Sequence, residues 1–179
     1  MSKAQGRQPR HVKTVNLALQ GGGSHGAFTW GVLDRIFEDG RVWIEAISGA
    51  SAGAMNAVVA AQGMYDGGGE GAREALHAFW RKVAAAALFS PYQRTPWDKA
   101  AGRWSLEGSP LYLAMDLLGR VASPYDLNPA GVNPLKDLVG GFVDFDKVRD
   151  CEDLPIVISA TNVETGHARV FDLQSITLD

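Results

Sequence analysis

The chain has 179 residues, 46% of them hydrophobic and 21% charged, enough for one domain, or most of one, with a buried core. A net charge of -3 gives no global attraction for nucleic acid or for an anionic membrane. The single cysteine, Cys151, excludes an intrachain disulfide and fits a reducing compartment.

Residues 1–13 are basic and polar, and are predicted to be a disordered leader. No apolar run follows that could form a signal-peptide core, and no stretch has the length of a membrane span. The default location is therefore cytoplasmic. The 21 glycines exceed the usual share of about 7%. They cluster at 21–26, 49–53 and 67–71, which marks local turns, not low complexity.

Residues 15–19 form a continuous apolar run ending in Gln20 and three glycines, as expected of a strand buried on both faces of a parallel sheet. Over 27–38, Phe28, Val32, Leu33, Ile36 and Phe37 recur at helical spacing, with Asp34, Arg35 and Glu38 on the wet face. Gly40 suits a left-handed cap. Residues 42–47 read as a second strand, 48–53 as a tight turn, and 54–62 as a helix apolar nearly all round. This is a βαβα unit with parallel strands and a right-handed crossover.

Beyond it, 67–71 reads as a flexible connection, 72–88 as a helix and 89–110 as irregular. Residues 111–118 suggest a short helix; 124–129 and 133–134 carry loop signals. Residues 155–160 and 168–173 are strand-like, joined by a hairpin turn at 164–167. There is no internal repeat.

Two glycine motifs carry the chemistry. Gly49-Ala50-Ser51-Ala52-Gly53 matches G-x-S-x-G between a strand and a helix, the setting of a nucleophile elbow. The glycines let strand and helix approach, and the Ser51 hydroxyl is presented at a helix N-terminus. Gly21-Gly22-Gly23-Ser24-His25-Gly26 matches G-x-G-x-x-G through Gly21, Gly23 and Gly26, again between strand and helix. One reading is a dinucleotide loop, which wants an acid at the end of the second strand; here Glu45 lies inside that strand. The other is an oxyanion hole built from backbone N–H groups of the loop, facing Ser51 across neighbouring strand ends. A third is a pair of tight turns with no chemistry.

These residues resemble a known family. Residues 17–28, with Gly31-Val32-Leu33 behind them, look like the opening block of the patatin-like phospholipases of bacterial type. Residues 47–57 look like their nucleophile block. Tyr125-Asp126-Leu127-Asn128-Pro129, Asn133-Pro134-Leu135, Leu154-Pro155-Ile156 and residues 160–166 are similar to bacterial members. The resemblance implies a three-layer α/β/α fold with a mainly parallel central sheet. It implies hydrolysis of acyl esters, typically of phospholipids or neutral lipids, by a Ser-Asp dyad without metal or cofactor. Carried over, Ser51 is the nucleophile and Gly22 and Gly23 supply the oxyanion N–H groups. His25 stands where the family often has Arg or Lys.

The family's base is an aspartate in an Asp-Gly-Gly or Asp-Gly-Ala motif well downstream of the hairpin at 161–171, a point expected to lie beyond Asp179, so no base is assigned. Asp39-Gly40 falls on the far edge of the sheet. Asp66-Gly67 should be roughly 15 Å or more from Ser51, given ~1.5 Å rise per helical residue. Of His11, His25, His77 and His167, chain order favours His167 for a triad, at a hairpin tip. Residues 14–179 are accordingly expected to be the N-terminal portion of a patatin-like domain lacking its C-terminal part, with little turnover and poor solubility. The expected partner is a lipid or acyl ester, with peripheral membrane contact and no nucleic acid; the oligomeric state is open. A non-catalytic lipid-binding fragment and an acyltransferase use the same scaffold. Phe28, Trp30, Phe89, Trp97 and Trp104 are read either as an apolar entrance or as core packing.

Overall fold

The computed structural model describes residues 13–87, 97, 100–102, 114, 133–162 and 164–176. The expectations for 89–110, 111–118 and 124–129 fall almost entirely outside them. Two compact units divide the chain, Val83–Leu135 and the remainder. All that follows concerns the larger one, except for residues 83–87 at the end of α2, residues 134–135 at the start of α3, and Trp97.

Four strands form one sheet in the order β1-β2-β3-β4: Lys13–Leu19, Val42–Ala50, Ile156–Thr161 and Ala168–Asp172. The first three are parallel and β4 is antiparallel to β3. The expected hairpin joins these last two. At its tip the Asn162 side chain accepts from the N–H groups of Glu164 (3.0 Å) and Thr165 (2.8 Å), and Gly166 takes φ 69°. Between β1 and β2 the register slips, with Val15 opposite Ile44 but Asn16 opposite Ala46. Glu45 is the extra residue of this bulge, and its carboxylate accepts from Asn16 Nδ2 at 3.2 Å.

Burial corrects one expectation. Along β1, Val15, Leu17 and Leu19 are half-buried while Asn16 and Ala18 are exposed. Among the described residues the strand is an edge of this sheet and buries one face only, despite its apolar composition. The same side is buried in β2 and β3, through Ile44, Ile47 and Ile156, while Trp43, Val157 and Val170 are exposed.

Helix α1 (Gly26–Asp39) follows a single 3-10 turn and stops at Gly40, which is left-handed (φ 65°) as expected. The next helix corrects a second expectation. The connection expected at 67–71 is shorter than its sequence suggests: Ala52–Ala87, labelled α2, comprises two helical legs joined across a kink at Gly67 (φ -157°, ψ 22°) and Gly68 (φ 65°, ψ -150°), with residues 69–71 already helical. There the helix doubles back on itself. Gly63 and Gly71 meet across the bend, where a Cβ on Gly63 would lie 2.4 Å from the Gly71 carbonyl oxygen. A Cβ on Gly71 would lie 2.3 Å from that of Gly63. Two helical legs thus pack backbone to backbone because neither carries a side chain at the contact.

Ala57, Val58, Val59, Ala60 and Ala61 on the first leg are buried, with Ala72, Leu76 and Phe79 on the second. This is the central helix that its all-round apolar sequence implied. Arg73 on the second leg reaches Asp34 of α1 (3.0 Å) in a part-buried pair and Glu70 (2.9 Å) in an exposed one, the latter worth about 0–1 kcal/mol.

Two short helices escape the sequence reading. In α3 (Pro134–Gly140) a proline expected in a loop opens the helix instead, a position where its missing N–H costs nothing. In α4 (Phe145–Arg149) Asp144 caps the N-terminus by accepting from the N–H of Asp146 (3.1 Å) and of Lys147 (3.4 Å). Val148, Cys151 and Leu154 are buried behind it. Burial pushes the Cys151 thiol pKa up, so it stays protonated and unreactive near neutral pH.

Gly63→Ala is expected to lower the free energy of unfolding by about 1–3 kcal/mol, because a backbone carbonyl occupies the new methyl's place. Gly31→Ala, exposed on α1 with nothing within 4 Å of a Cβ, should raise it by about 0.5–1 kcal/mol. Urea titrations of the two variants, with opposite signs relative to the parent, check both.

Candidate active site

The site begins with strand register. Leu19 pairs with Gly49 in parallel, so β1 and β2 release the chain at the same edge of the sheet, two glycine-bearing bends side by side. This is the carboxyl edge, where open α/β sheets place their sites.

The second bend is held by contacts that only glycine permits. A Cβ on Gly53 would fall 2.1 Å from the carbonyl oxygen of Leu19. A Cβ on Gly49 would fall 2.7 Å from the carbonyl carbon and oxygen of Gly53. Strand β1, strand β2 and the start of α2 therefore close to backbone contact. Between the two glycines Ser51 takes φ 51°, the only positive φ at a non-glycine residue among those described. For an L-residue this conformation costs about 1–2 kcal/mol, and it turns the side chain out of the bend. Ser51 is exposed, and its carbonyl accepts the first hydrogen bond of α2 from Met55 N (3.1 Å).

The first bend lies against it. A Cβ on Gly21 would stand 3.0 Å from the Ser51 Cβ and 3.7 Å from its Oγ. Gly22 and Gly23 follow at once, Gly23 with φ 56° and nothing within 4 Å of a Cβ position. Gly26 closes the motif as the first residue of α1 and must be glycine: a Cβ there would meet the Ala52 Cβ at 2.8 Å and the Trp80 ring at 2.9 Å.

His25 folds back onto its own loop. Its backbone N–H (3.1 Å) and its ring Nδ1 (3.0 Å) both donate to the Gly22 carbonyl. An acceptor-only partner assigns the proton to Nδ1. The peptide that joins Gly22 to Gly23 is thereby held by its oxygen, which leaves the Gly23 N–H directed the opposite way. His25 is a loop residue with a specific job in loop geometry, a role its identity alone did not announce.

Other acid and base candidates are engaged elsewhere. Asp39 pairs with Arg41, whose guanidinium holds its carboxyl below the usual carboxylate range. Asp66 pairs with Lys147 at 2.8 Å, and that pairing raises the Lys147 pKa. The His77 ring tilts against Trp30, centroids 5.9 Å apart. His167 sits on the exposed β3–β4 hairpin at the same sheet edge as Ser51, and no hydrogen bond joins the two. His11 lies outside the described residues. Among those described, no carboxylate or imidazole hydrogen-bonds the Ser51 hydroxyl, and no cluster of His, Cys, Asp and Glu could hold a metal.

On the open side of the sheet, Ala18, Gln20, Ser48, Ala50, Val157 and Val170 line a concavity of about 510 Å³ that adjoins the Ser51 bend. Phe28, in the first turn of α1, is 78% exposed, and Trp97 in the smaller unit is 84% exposed, so neither is core packing. Phe89 and Trp104 lie outside the described residues. No helix among those described is long and apolar enough to cross a membrane.

A mainly parallel sheet with helices, and two glycine bends at one edge, define an α/β protein of patatin-like α/β/α fold. The sequence model of patatin-like phospholipases matches residues 17–174, and the chain belongs to that family. Among solved structures it is similar to a chain of the heterodimeric ExoU-SpcU complex from the type III secretion system of Pseudomonas aeruginosa. That match has 16% identity and a TM-score of 0.35, and covers 94% of this chain and 35% of that one. The present chain thus spans about a third of the length of that protein. No curated protein matches the chain.

Relief of the bend is measurable. Ser51→Gly should be about 1 kcal/mol more stable than Ser51→Ala in urea titrations, because only glycine accepts the positive φ without strain. Equal stability of the two variants would show that residue 51 relaxes out of the left-handed region.

Proposed function

We propose that this chain carries the nucleophile and oxyanion half of a serine acyl hydrolase that cleaves lipid or other acyl esters. The observation that carries the reading is Ser51: exposed, strained at φ 51°, at the start of a helix, with its hydroxyl beside the first glycine bend. Strain held by the surrounding backbone is typical of functional positions.

In the proposed reaction the Ser51 hydroxyl attacks the ester carbonyl and loses its proton to a base. The carbonyl oxygen becomes an oxyanion, stabilised by the N–H groups of Gly22 and Gly23 and by the positive end of α2. Each oxyanion donor of this kind typically contributes about 3 kcal/mol to the transition state. The oxyanion then collapses: the ester C–O bond breaks, the leaving alcohol takes the proton from the base, and Ser51 is left acylated. Water, deprotonated by the same base, attacks the acyl-enzyme, and the Ser51 Oγ leaves with that proton, which frees the carboxylic acid. The concavity beside Ala50 suits an acyl chain, and exposed Phe28 suits contact with a lipid surface, which makes peripheral membrane contact part of the proposal.

The base is proposed to be the aspartate of a Ser-Asp dyad, supplied from outside the described residues, with residues 14–179 contributing the N-terminal portion of the domain. Asp39 and Asp66 are both committed to ion pairs, which argues against either in that role. The absence of a carboxylate on Ser51 among the described residues also supports a second reading, a lipid-binding fragment that keeps the pocket without turnover.

A fluorophosphonate separates the readings. Incubated with the full chain, it is expected to label Ser51, located by mass spectrometry, with Ser51→Ala unlabelled. Turnover of a short-chain p-nitrophenyl ester is expected to be slow. No adduct at Ser51 would favour the non-catalytic fragment.

A further inference from the structure

Among the described residues Asn56 is the one buried polar side chain, with no accessible surface. Its Nδ2 donates to the Gly26 carbonyl at 3.0 Å, and its Oδ1 accepts from Trp80 Nε1 at 2.8 Å. The chemistry fixes the amide's orientation, because an indole nitrogen only donates and a backbone carbonyl only accepts. A buried amide held at both its nitrogen and its oxygen favours one arrangement of the elements that it joins.

The elements joined here are those that carry the site. Gly26 opens α1, three residues after Gly23; Asn56 stands five residues after Ser51 on the first leg of α2; Trp80 lies on the second leg. The same three elements touch sterically, since the Ala52 Cβ and the Trp80 ring leave no room for a Cβ on Gly26. Any shift of Gly26 away from Asn56 would carry the glycine loop away from Ser51.

We propose that Asn56 and Trp80 are positioning residues that set the gap between the glycine loop and Ser51. The glycine-rich bend of α2 serves the same end: Gly63 and Gly71 in contact, with Gly67 and Gly68 at the turn, bring Trp80 back alongside Asn56. The inference rests on Ser51 being the nucleophile. Misplacement of reacting groups by about 1 Å can cost about 100-fold in rate, so a clamp of this kind acts on rate more than on binding.

Trp80→Phe removes the indole N–H and keeps an aromatic ring. Asn56→Asp keeps the acceptor for Trp80 but sets a carboxyl oxygen against the Gly26 carbonyl. Two readouts are taken on the full chain well below its melting temperature: fluorophosphonate labelling of Ser51, resolved into kinact and KI, and hydrogen–deuterium exchange of segment 21–28. The expected result is a fall in kinact of about 10- to 100-fold at unchanged KI, and exchange of 21–28 faster by about ten-fold with that of the β3–β4 hairpin unchanged. Should Asn56→Asp fail to fold, Trp80→Phe carries the test. Parental kinact or parental exchange at 21–28 in Trp80→Phe overturns the inference. A parent chain that does not label at all removes the nucleophile reading; faster exchange at 21–28 in the variants would then still bear out the clamp, and unchanged exchange would overturn it as well.

Discussion

The arrangement of this molecule depends on one missing atom, the Cβ of residue 53. With hydrogen in its place, the start of α2 rests directly on the carbonyl of Leu19, and a methyl group there would stand 2.1 Å from that oxygen. Backbone contact between the end of β1 and the helix leaving β2 forces a bend too sharp for ordinary backbone angles. Ser51 absorbs the bend at positive φ. Exposure and strain at residue 51 are thus two results of one steric fact.

The helical hairpin repeats the device. Gly63 and Gly71 let two legs of one helix approach to backbone contact, as Gly49 and Gly53 let a strand and a helix do so. Close approach brings a buried amide, Asn56, between a carbonyl of α1 and an indole of the second leg. Apolar packing by Leu33, Val59, Leu76 and Phe79 supplies the larger favourable term, at about 1.5–3 kcal/mol per buried side chain. It is not directional, however, and would tolerate sliding. The polar link and the glycine contacts remove that freedom.

The site illustrates how loop chemistry and scaffold divide their work. Gly21 lies beside Ser51 because two parallel strands end in register, not because the loop reaches for it. His25 then holds the Gly22 carbonyl, which orients the peptide that follows. His25 stands where the resemblance leads one to expect Arg or Lys; in place its ring meets the carbonyl of its own loop.

The sequence by itself determined the βαβα order, both glycine bends, the cap at Gly40 and the β3–β4 hairpin. Each of these is local: a period of apolar residues, or a glycine that a bend requires, is written within a few residues. It also carried the family, through motifs on both bends. Tertiary structure decided the rest. Residues 67–71 look like a linker; the break narrows to Gly67 and Gly68, and Gly71 is already helical and packed on Gly63. Residues 15–19 look buried on both faces, yet among the described residues they alternate between half-buried and exposed, because burial depends on what the rest of the chain lays against the sheet. Asn56 reads as a polar interruption in an apolar helix until Gly26 and Trp80, 30 and 24 residues away, are brought to it. Such contacts join residues distant in the chain, and no periodicity records them.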